Sequence, residues 1–548
     1  MNSELTNRFG FLKRKGAFFF AFSFFFVIAA VTYFLCIRRT DWSFVYPLDD
    51  SYIHAALAKN IANHGLWGVT QYEFSSASSS LIWPLLIAGV FGIIGTNVMV
   101  PLWLGLFSAA LLLALAHSIF EREIPGRFLL QTFGLTVLIF FVPMTSNAFI
   151  GMEHLAHAAA TVFYASVLIT YAHAPPGYKS LPLLCVAAVL MILLRYESAM
   201  VIAVGCLVLL SHRKFLAATL QSALSVIPIV FFGVYATSQG GLFLPNSFYA
   251  KVENIRKVTD LLRIAVDKAN GAPTLHLLLI LGLMLYVHLI LLEHAPEQIR
   301  SRLRDWFFLF SLSAVLHVVF AKVGWYYRYE AYLNALGIVT LVLFLGAVSF
   351  APTWRKAWTL VPVAAFAVVF GFQSIRAAAL SIRTVPRVSE ERYLEHVVPA
   401  RFVAKYFPTS TIAVNDIGAL CYFTEARILD VFGLGSVEPL IYRRTGYGAA
   451  QMSEWTKSKG AHFAILQTEW PFVAERIPKE WIPVADWKIP SNYVFGDRTM
   501  GVFAIDPSIQ EKLKAAMWEF QKTAPKRLKL FSSDDPARNR INRFSPPW

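Results

Sequence analysis

Residues 46–89 read YPLDDSYIHAALAKNIANHGLWGVTQYEFSSASSSLIWPLLIAG. They follow an apolar run, Ala17 to Ile37, that is long enough to cross a bilayer. Lys13-Arg14-Lys15 precede this run and Arg38-Arg39 end it. It lacks a small-residue cleavage site, so it reads as a retained helix and not as a removed signal. The positive-inside rule then keeps the amino terminus in the cytoplasm and delivers Asp41 to Ser80 to the outer side. Two adjacent carboxylates, Asp49 and Asp50, stand just beyond that membrane helix, where ionised groups are costly to place without a purpose. Ile53, Leu57 and Ile61 then recur at helical spacing, with Lys59, Asn60 and Asn63 elsewhere. Asp49 or Asp50 can cap the start and Gly65 suits the end. The pattern predicts a short helix, Ser51 to Asn63, lying on the outer membrane surface and packed on the helix bundle. Ser75 to Ser80 form a hydroxyl-rich entry to the next apolar run at Leu81.

The remainder of the chain repeats the membrane signal. Of 548 residues, 56% are hydrophobic and 15% charged, where soluble domains carry roughly 25% charged residues. Apolar stretches recur to about Arg376, and a mixed polar and apolar pattern follows. Basic clusters at His212-Arg213-Lys214, Ile299 to Arg304 and Thr353 to Lys356 mark cytoplasmic loops. The spans near 216–238, 275–293, 306–324, 330–350 and 359–376 then alternate consistently. Gly240 to Thr274, Lys322 to Glu330 and the C-terminal region share the outer side with the acidic pair. Short runs near 181–194 and 198–211 hinge at Arg195-Tyr196-Glu197. Two more flank Gly95 to Pro101, where only one net crossing fits, so one of them is read as re-entrant or interfacial. The expected fold is a polytopic α-helical membrane protein with about eleven to thirteen transmembrane helices. Residues 1–376 form the membrane domain, with its first outer loop at 38–80.

Residues 377–548 read as an extracytoplasmic α/β domain. Strand-like runs fall at Thr411 to Asn415, Arg427 to Phe432, Phe463 to Leu466, Val484 to Ile489 and Gly501 to Ile505. Helical segments fall at Glu391 to Tyr406 and Ser508 to Thr523, and Lys526, Arg527, Lys529, Arg538, Arg540 and Arg543 form a basic tail. The net charge of +15 fits a protein among anionic lipids. It does not suggest nucleic acid, because the basic residues sit in loops and the tail. The four cysteines, Cys36, Cys185, Cys206 and Cys421, make no disulfide framework.

Several side chains carry chemistry in more than one way. One aspartate of the pair can accept a proton from an attacking hydroxyl, or both can serve a helix start. Arg195 and Glu197 can pair across the helix break or face an anion. Lys251 can snorkel at the interface, and Arg328 can join an aromatic belt with Trp325, Tyr326, Tyr327 and Tyr329. Glu153, His154 and His157 share a helical face, but their order is not that of a zincin motif, and a polar helix entry explains them. Asp416 and Asp430 stand at strand ends, as turn residues or as holders of an acceptor.

The quoted segment resembles the first outer loop of GT-C membrane glycosyltransferases. It is closest to the subfamily of terminal arabinofuranosyltransferases that use polyprenyl-phosphate donors. Asp49-Asp50, Tyr52, His64-Gly65-Leu66 and Ser80-Leu81-Ile82-Trp83-Pro84 carry the likeness, with the proline displaced. Gly151-Met152-Glu153, Leu194-Arg195-Tyr196-Glu197, Leu244-Pro245-Asn246-Ser247-Phe248-Tyr249-Ala250-Lys251 and Tyr327-Arg328-Tyr329 follow in the family's order. So do Val414-Asn415-Asp416-Ile417-Gly418-Ala419-Leu420 and Leu429-Asp430-Val431-Phe432-Gly433-Leu434 in the tail domain.

The resemblance implies an inverting transfer of a sugar from a polyprenyl monophosphate to a cell-envelope glycan or glycolipid, at the outer face of a bacterial inner membrane. Asp49 matches the first acidic residue of the family's pair and is the expected general base, with Asp50 beside it. Lys251, Arg328, Arg195 and Tyr249 are the expected groups on the lipid phosphate, where charge develops as it leaves. Tyr52, His54, Glu153, Glu197 and Asn246 complete the expected substrate surface. No organic cofactor is implied, and a divalent cation is left open. The competing readings are a lipid or glycolipid transporter and a non-catalytic envelope scaffold. No inverted repeat supports the transporter.

Overall fold

The computed structural model describes residues 2–175, 179–251, 271–291, 296–347, 354–490 and 498–533. The arginines at 538, 540 and 543 and the side chain of Lys251 therefore lie outside the described residues. Contacts divide the chain into two compact units. One comprises Met1–Thr32, Leu102–Phe231 and Glu253–Arg383, and the other Tyr33–Pro101, Phe232–Val252 and Thr384–Trp548.

The chain is a multi-pass membrane protein. Among the described residues, five helices are long and apolar enough to cross a bilayer: Lys15–Arg39, Val100–Glu123, His154–Ala172, Phe215–Ser238 and Glu297–Phe320. A sixth arises if Phe128–Phe141 and Met144–Ile150, bent by 44°, make one broken span. Pro143 stands in that break and cannot supply an N–H to a continuous helix. Five shorter apolar helices accompany them, including Trp83–Ile94 before the Gly95 turn and the pair Leu181–Leu194 and Ser198–Ser211 around Arg195. These are shorter than the ~20 residues that a perpendicular crossing needs.

In the first unit, helix Ala331–Ala347 is buried at nearly every position and packs against His154–Ala172, Pro273–Leu291, Glu297–Phe320 and Phe128–Phe141. A helix apolar on all sides has no solvent face to give, and this one fills the middle of its unit. Small residues let neighbours close in: a Cβ on Gly205 would stand 2.0 Å from the Tyr164 hydroxyl oxygen.

The second unit is built on a mixed six-stranded sheet in the order β2-β1-β3-β5-β4-β6. The strands are β1 Thr411–Val414, β2 Arg427–Asp430, β3 Phe463–Gln467, β4 Ile482–Lys488, β5 Thr499–Ala504 and β6 Lys529–Ser532. β1 runs parallel to β2 and β3, while β5, β4 and β6 add antiparallel. Leu429, Met452, Trp455, Leu466, Trp481 and Phe503 form a core cluster of this unit. Five of the strands fall where short apolar runs and β-branching placed them. β6 does not, because Lys526, Arg527 and Lys529 give its surroundings the look of a basic tail. Its four residues, Lys529-Leu530-Phe531-Ser532, nevertheless pair with Ala485 to Lys488. Arg527 before it is likewise no free tail charge, since it pairs with Glu390 and, at 3.0 Å, with Asp41.

Helix Asp50–His64 also departs from expectation. Gly65 closes it in the left-handed region at φ 64°, as foreseen. The helix is buried more deeply than a membrane-surface element, because Ser51 to Asn60 are all buried. It packs against Trp83–Ile94 and against the short helix Gly418–Phe423 of the same unit.

Candidate active site

Asp49 occupies the N-cap position of helix Asp50–His64, yet its side chain makes no cap hydrogen bond there. It reaches instead across to helix Gly418–Phe423. The amides of Gly418 and Ala419 donate to its two oxygens at 2.5 and 2.9 Å. Further along the same helix, the Lys59 ammonium donates to the carbonyls of Cys421, Tyr422 and Thr424 at 3.0 to 3.2 Å and pairs with Glu425 at 3.1 Å. A carboxylate thus meets the orphan N–H groups of one helix end and an ammonium meets the orphan carbonyls of the other. The helical rise from Asp49 to Lys59 is about 15 Å, enough to span a short helix and its caps. Gly418 is required by this clamp, since a Cβ there would stand 2.2 Å from the Asp49 carbonyl oxygen.

The same carboxylate faces His396, whose Nδ1 is 3.2 Å from Asp49 Oδ1. His396 lies in a π-turn, Tyr393–Val397, that widens the helical segment expected at Glu391 to Tyr406. Its Nε2 faces Glu395 Oε2 at 3.5 Å, Asp416 Oδ2 at 3.6 Å and the Arg392 guanidinium. Burial and Arg392 oppose a charged ring, but the Asp49 and Glu395 carboxylates outweigh them and push His396 up to about 10. Burial would raise Asp49, yet the imidazolium and the two amides hold it below the usual carboxylate range. Asp416 goes the other way: burial and the Asp49 charge outweigh His396 and push it up to about 6.

Asp416 follows β1, and strand order reverses at β1, because β2 lies on one side and β3 on the other. Crevices at such reversals, beyond the carboxyl ends of parallel strands, are the usual ligand positions of α/β sheets. A small pocket of about 20 Å³, room for about one water, lies there. Glu395, His396, Asn415, Asp416, Gln467 and Met500 are among its lining. Asn415 and Gln467 hold one another across the strand ends, the Asn415 amide donating to Gln467 Oε1 at 2.9 Å.

A pH dependence follows from these groups. A folded-state pKa of about 10 for His396 lies above the ordinary ~6.5. Its stabilisation is therefore complete below about pH 6.5 and lost as pH rises toward 10. The depressed Asp49 contributes above about pH 4 and loses its contribution as pH falls through its folded value. Ionising Asp416 costs stability as pH rises from about 4 through its folded value. The melting temperature of the full chain is expected to fall from about pH 6.5 to about 10. His396→Gln should flatten that limb, and an unchanged slope in the variant would contradict the assignment.

Other expected site residues lie within the same unit. Tyr52 is buried; its hydroxyl accepts from the Tyr46 amide at 3.2 Å and its ring meets Tyr422 and Phe423. His54 is buried, with Nδ1 3.2 Å from Ser78 Oγ. The Asn246 amide donates to the Leu434 carbonyl at 3.0 Å, and Ser75 Oγ donates to the Gly435 carbonyl at 2.9 Å. Asp430 folds that same loop, accepting from the amides of Phe432 and Gly435 at 2.7 and 2.6 Å. Tyr249 packs edge-on against Phe248 with ring centroids 5.8 Å apart. Asp50 is half-buried in the first helical turn.

In the helix unit the two expected arginines come together around Tyr329, with Arg328 4.9 Å and Arg195 5.8 Å from its ring centroid. Arg195 is buried between Glu153 at 2.6 Å and Glu197 at 2.7 Å. Arg328 is buried as well, with Met152 Sδ at 3.0 Å and the Tyr329 hydroxyl at 3.1 Å. Trp325, Tyr326 and Tyr327, which lead into Arg328, all have positive φ, between 49° and 66°. Three consecutive non-glycine residues in the left-handed region are strained, and such strain persists only where the surroundings fix it. Sequence reasoning missed Lys59, His396 and Glu395. A buried helix leaves no periodic trace of which polar groups point at a partner far along the chain.

Comparison with solved structures reads this architecture directly. ArnT from Cupriavidus metallidurans in the apo state superposes with a TM-score of 0.51 at 12% identity, covering 89% of this chain and 98% of that one. The chain has the GT-C fold. ArnT bound to undecaprenyl phosphate gives 0.49 at 12% identity, covering 89% and 99%. The Archaeoglobus fulgidus oligosaccharyltransferase gives 0.47 at 9%, covering 88% and 74%. AftD, an arabinofuranosyltransferase from Mycobacteria, gives 0.44 at 12%, covering 88% and 41%. Within the GT-C fold of this chain, residues 384–503 match a family described as a domain of unknown function (DUF8728). No curated protein sequence matches the chain significantly.

Proposed function

We propose that the chain is an inverting glycosyltransferase that moves a sugar from a polyprenyl monophosphate to an envelope glycan or glycolipid on the outer side of a bacterial inner membrane. The observation that carries the reading is the division of labour within the acidic pair. Asp49 has amides on both oxygens and an imidazolium beside it, which makes it a weak base and a firm anchor. Asp50 then takes the proton from the acceptor hydroxyl as it attacks the anomeric carbon. The proposed base is therefore Asp50 in place of the expected Asp49.

Among the groups expected on the leaving phosphate, Arg328, Lys251 and Tyr249 are proposed to stabilise the developing charge. Arg195 is less suited, because Glu153 and Glu197 already neutralise it. The small pocket beyond β1 and β3, with carboxylates and amides in its wall, has room for a single hydroxyl of a saccharide acceptor. ArnT, whose apo form shares the fold, is the protein solved with undecaprenyl phosphate, and a lipid monophosphate fits a cationic group beside a membrane.

Reconstituted full-length protein offered one labelled sugar on three carriers tests the donor class. Consumption of the polyprenyl-monophosphate sugar, and not of the nucleotide sugar or the polyprenyl-diphosphate sugar, is expected. Consumption of the nucleotide sugar alone would overturn the donor assignment.

A further inference from the structure

Three metal-ligating side chains that the proposed chemistry does not use meet at one end of the helix unit. His173 follows helix His154–Ala172, His212 follows helix Ser198–Ser211, and Asp305 belongs to helix Glu297–Phe320. The Nε2 atoms of His173 and His212 lie 2.8 and 2.6 Å from the same oxygen, Oδ2 of Asp305. The two rings are 4.5 Å apart, and the three potential ligand atoms all lie within 4.8 Å of one another. The histidines are half-buried and Asp305 is buried.

We propose that His173, His212 and Asp305 form a binding site for one divalent transition-metal ion, best suited to zinc. Two imidazole nitrogens and one carboxylate oxygen are a common zinc donor set, with water in the fourth tetrahedral position. Bonds of about 2.0–2.1 Å place tetrahedral ligands a little over ~3 Å apart, so the ion needs the three groups to open by roughly half an ångström, within side-chain adjustment. The donor set also selects the ion. Calcium and magnesium take oxygen ligands, and here there is one carboxylate, whose other oxygen accepts from Arg304 Nε at 3.3 Å. That leaves no excess negative charge for a hard cation, whereas neutral imidazoles suit zinc and its neighbours.

The site is supported as metal ligands usually are. Arg304 fixes the carboxylate from behind. Lys214, two residues after His212, donates to the Ala174 carbonyl at 3.0 Å and ties the two histidine-bearing turns together. The turn at His212 carries one of the basic clusters that the positive-inside rule assigns to the cytoplasm. The ion is therefore a structural clamp that joins the ends of helices His154–Ala172 and Ser198–Ser211 to helix Glu297–Phe320.

Full-length protein without a polyhistidine tag, purified in detergent and stripped with a chelator, is titrated with Co²⁺ and then Zn²⁺. One equivalent of Co²⁺ per chain, with the visible absorption of a tetrahedral nitrogen and oxygen site, is expected, and Zn²⁺ should displace it and raise the melting temperature. His173→Gln with His212→Gln should remove both the bound equivalent and the stabilisation, and Asp305→Asn, which keeps the side-chain volume, should weaken binding at least about tenfold. Wild-type protein that takes up no stoichiometric ion at micromolar concentration would overturn the proposal. So would a folded double variant that retains it.

Discussion

Asp50→Asn is expected to lower glycosyl transfer by a factor of about 10² to 10⁴, the usual contribution of a positioned general base, while the chain melts as the wild type does. The amide keeps the size of the side chain in the first turn of helix Asp50–His64, but it cannot take a proton. Asp50 is half-buried, so its charge is partly solvated and an amide of the same shape preserves the packing around it. The effect should fall on the turnover number and spare the apparent affinity for the lipid donor, because donor binding is proposed to rest on Arg328, Lys251 and Tyr249. A variant with wild-type turnover would return the role to Asp49 or remove it from the pair.

Asp49→Ala should behave in the opposite sense. Removing this carboxylate leaves two buried amides without their partner and the His396 Nδ1 without its carboxylate. Breaking a buried, hydrogen-bonded ion pair costs about 3–5 kcal/mol, a large part of the stability of an ordinary domain. The loss should appear as a lower melting temperature and as faster amide exchange at Gly418 and Ala419, whose N–H groups it protects. Asp49→Asn should lose less, because one amide oxygen can still accept from one N–H group. Transfer should fall in proportion to the unfolded fraction. If Asp49→Ala melts normally but is inactive, Asp49 is chemical and the anchor reading fails.

The membrane character was legible from apolar run lengths and basic loops, and the β strands from short apolar runs. The helix break at Arg195 and the left-handed close at Gly65 were legible too, since each depends on residues adjacent in the chain. What escaped was long-range. Lys59 looked like the polar side of a surface helix, because an ammonium that satisfies three backbone carbonyls has the same spacing as one that faces water. His396 carried no motif, and only the packing of its π-turn against helix Gly418–Phe423 sets it beside Asp49. The family-like segments around Asn246, Asp416 and Asp430 were read as substrate contacts or turns, and Asn246 and Asp430 hold the loop at Leu434 and Gly435 together. Asp416 lines the cavity beyond β1.

The fate of the bond between sugar and lipid phosphate tests the account most directly. Full-length protein in sealed vesicles, given a polyprenyl-phosphate donor labelled in the sugar together with an envelope glycan fraction, should move the label to glycan and release one polyprenyl phosphate for each sugar transferred. Asp50→Asn vesicles should release almost none. Label that crosses to the other leaflet with its lipid bond intact would contradict transfer and make the protein a carrier of lipid-linked sugar.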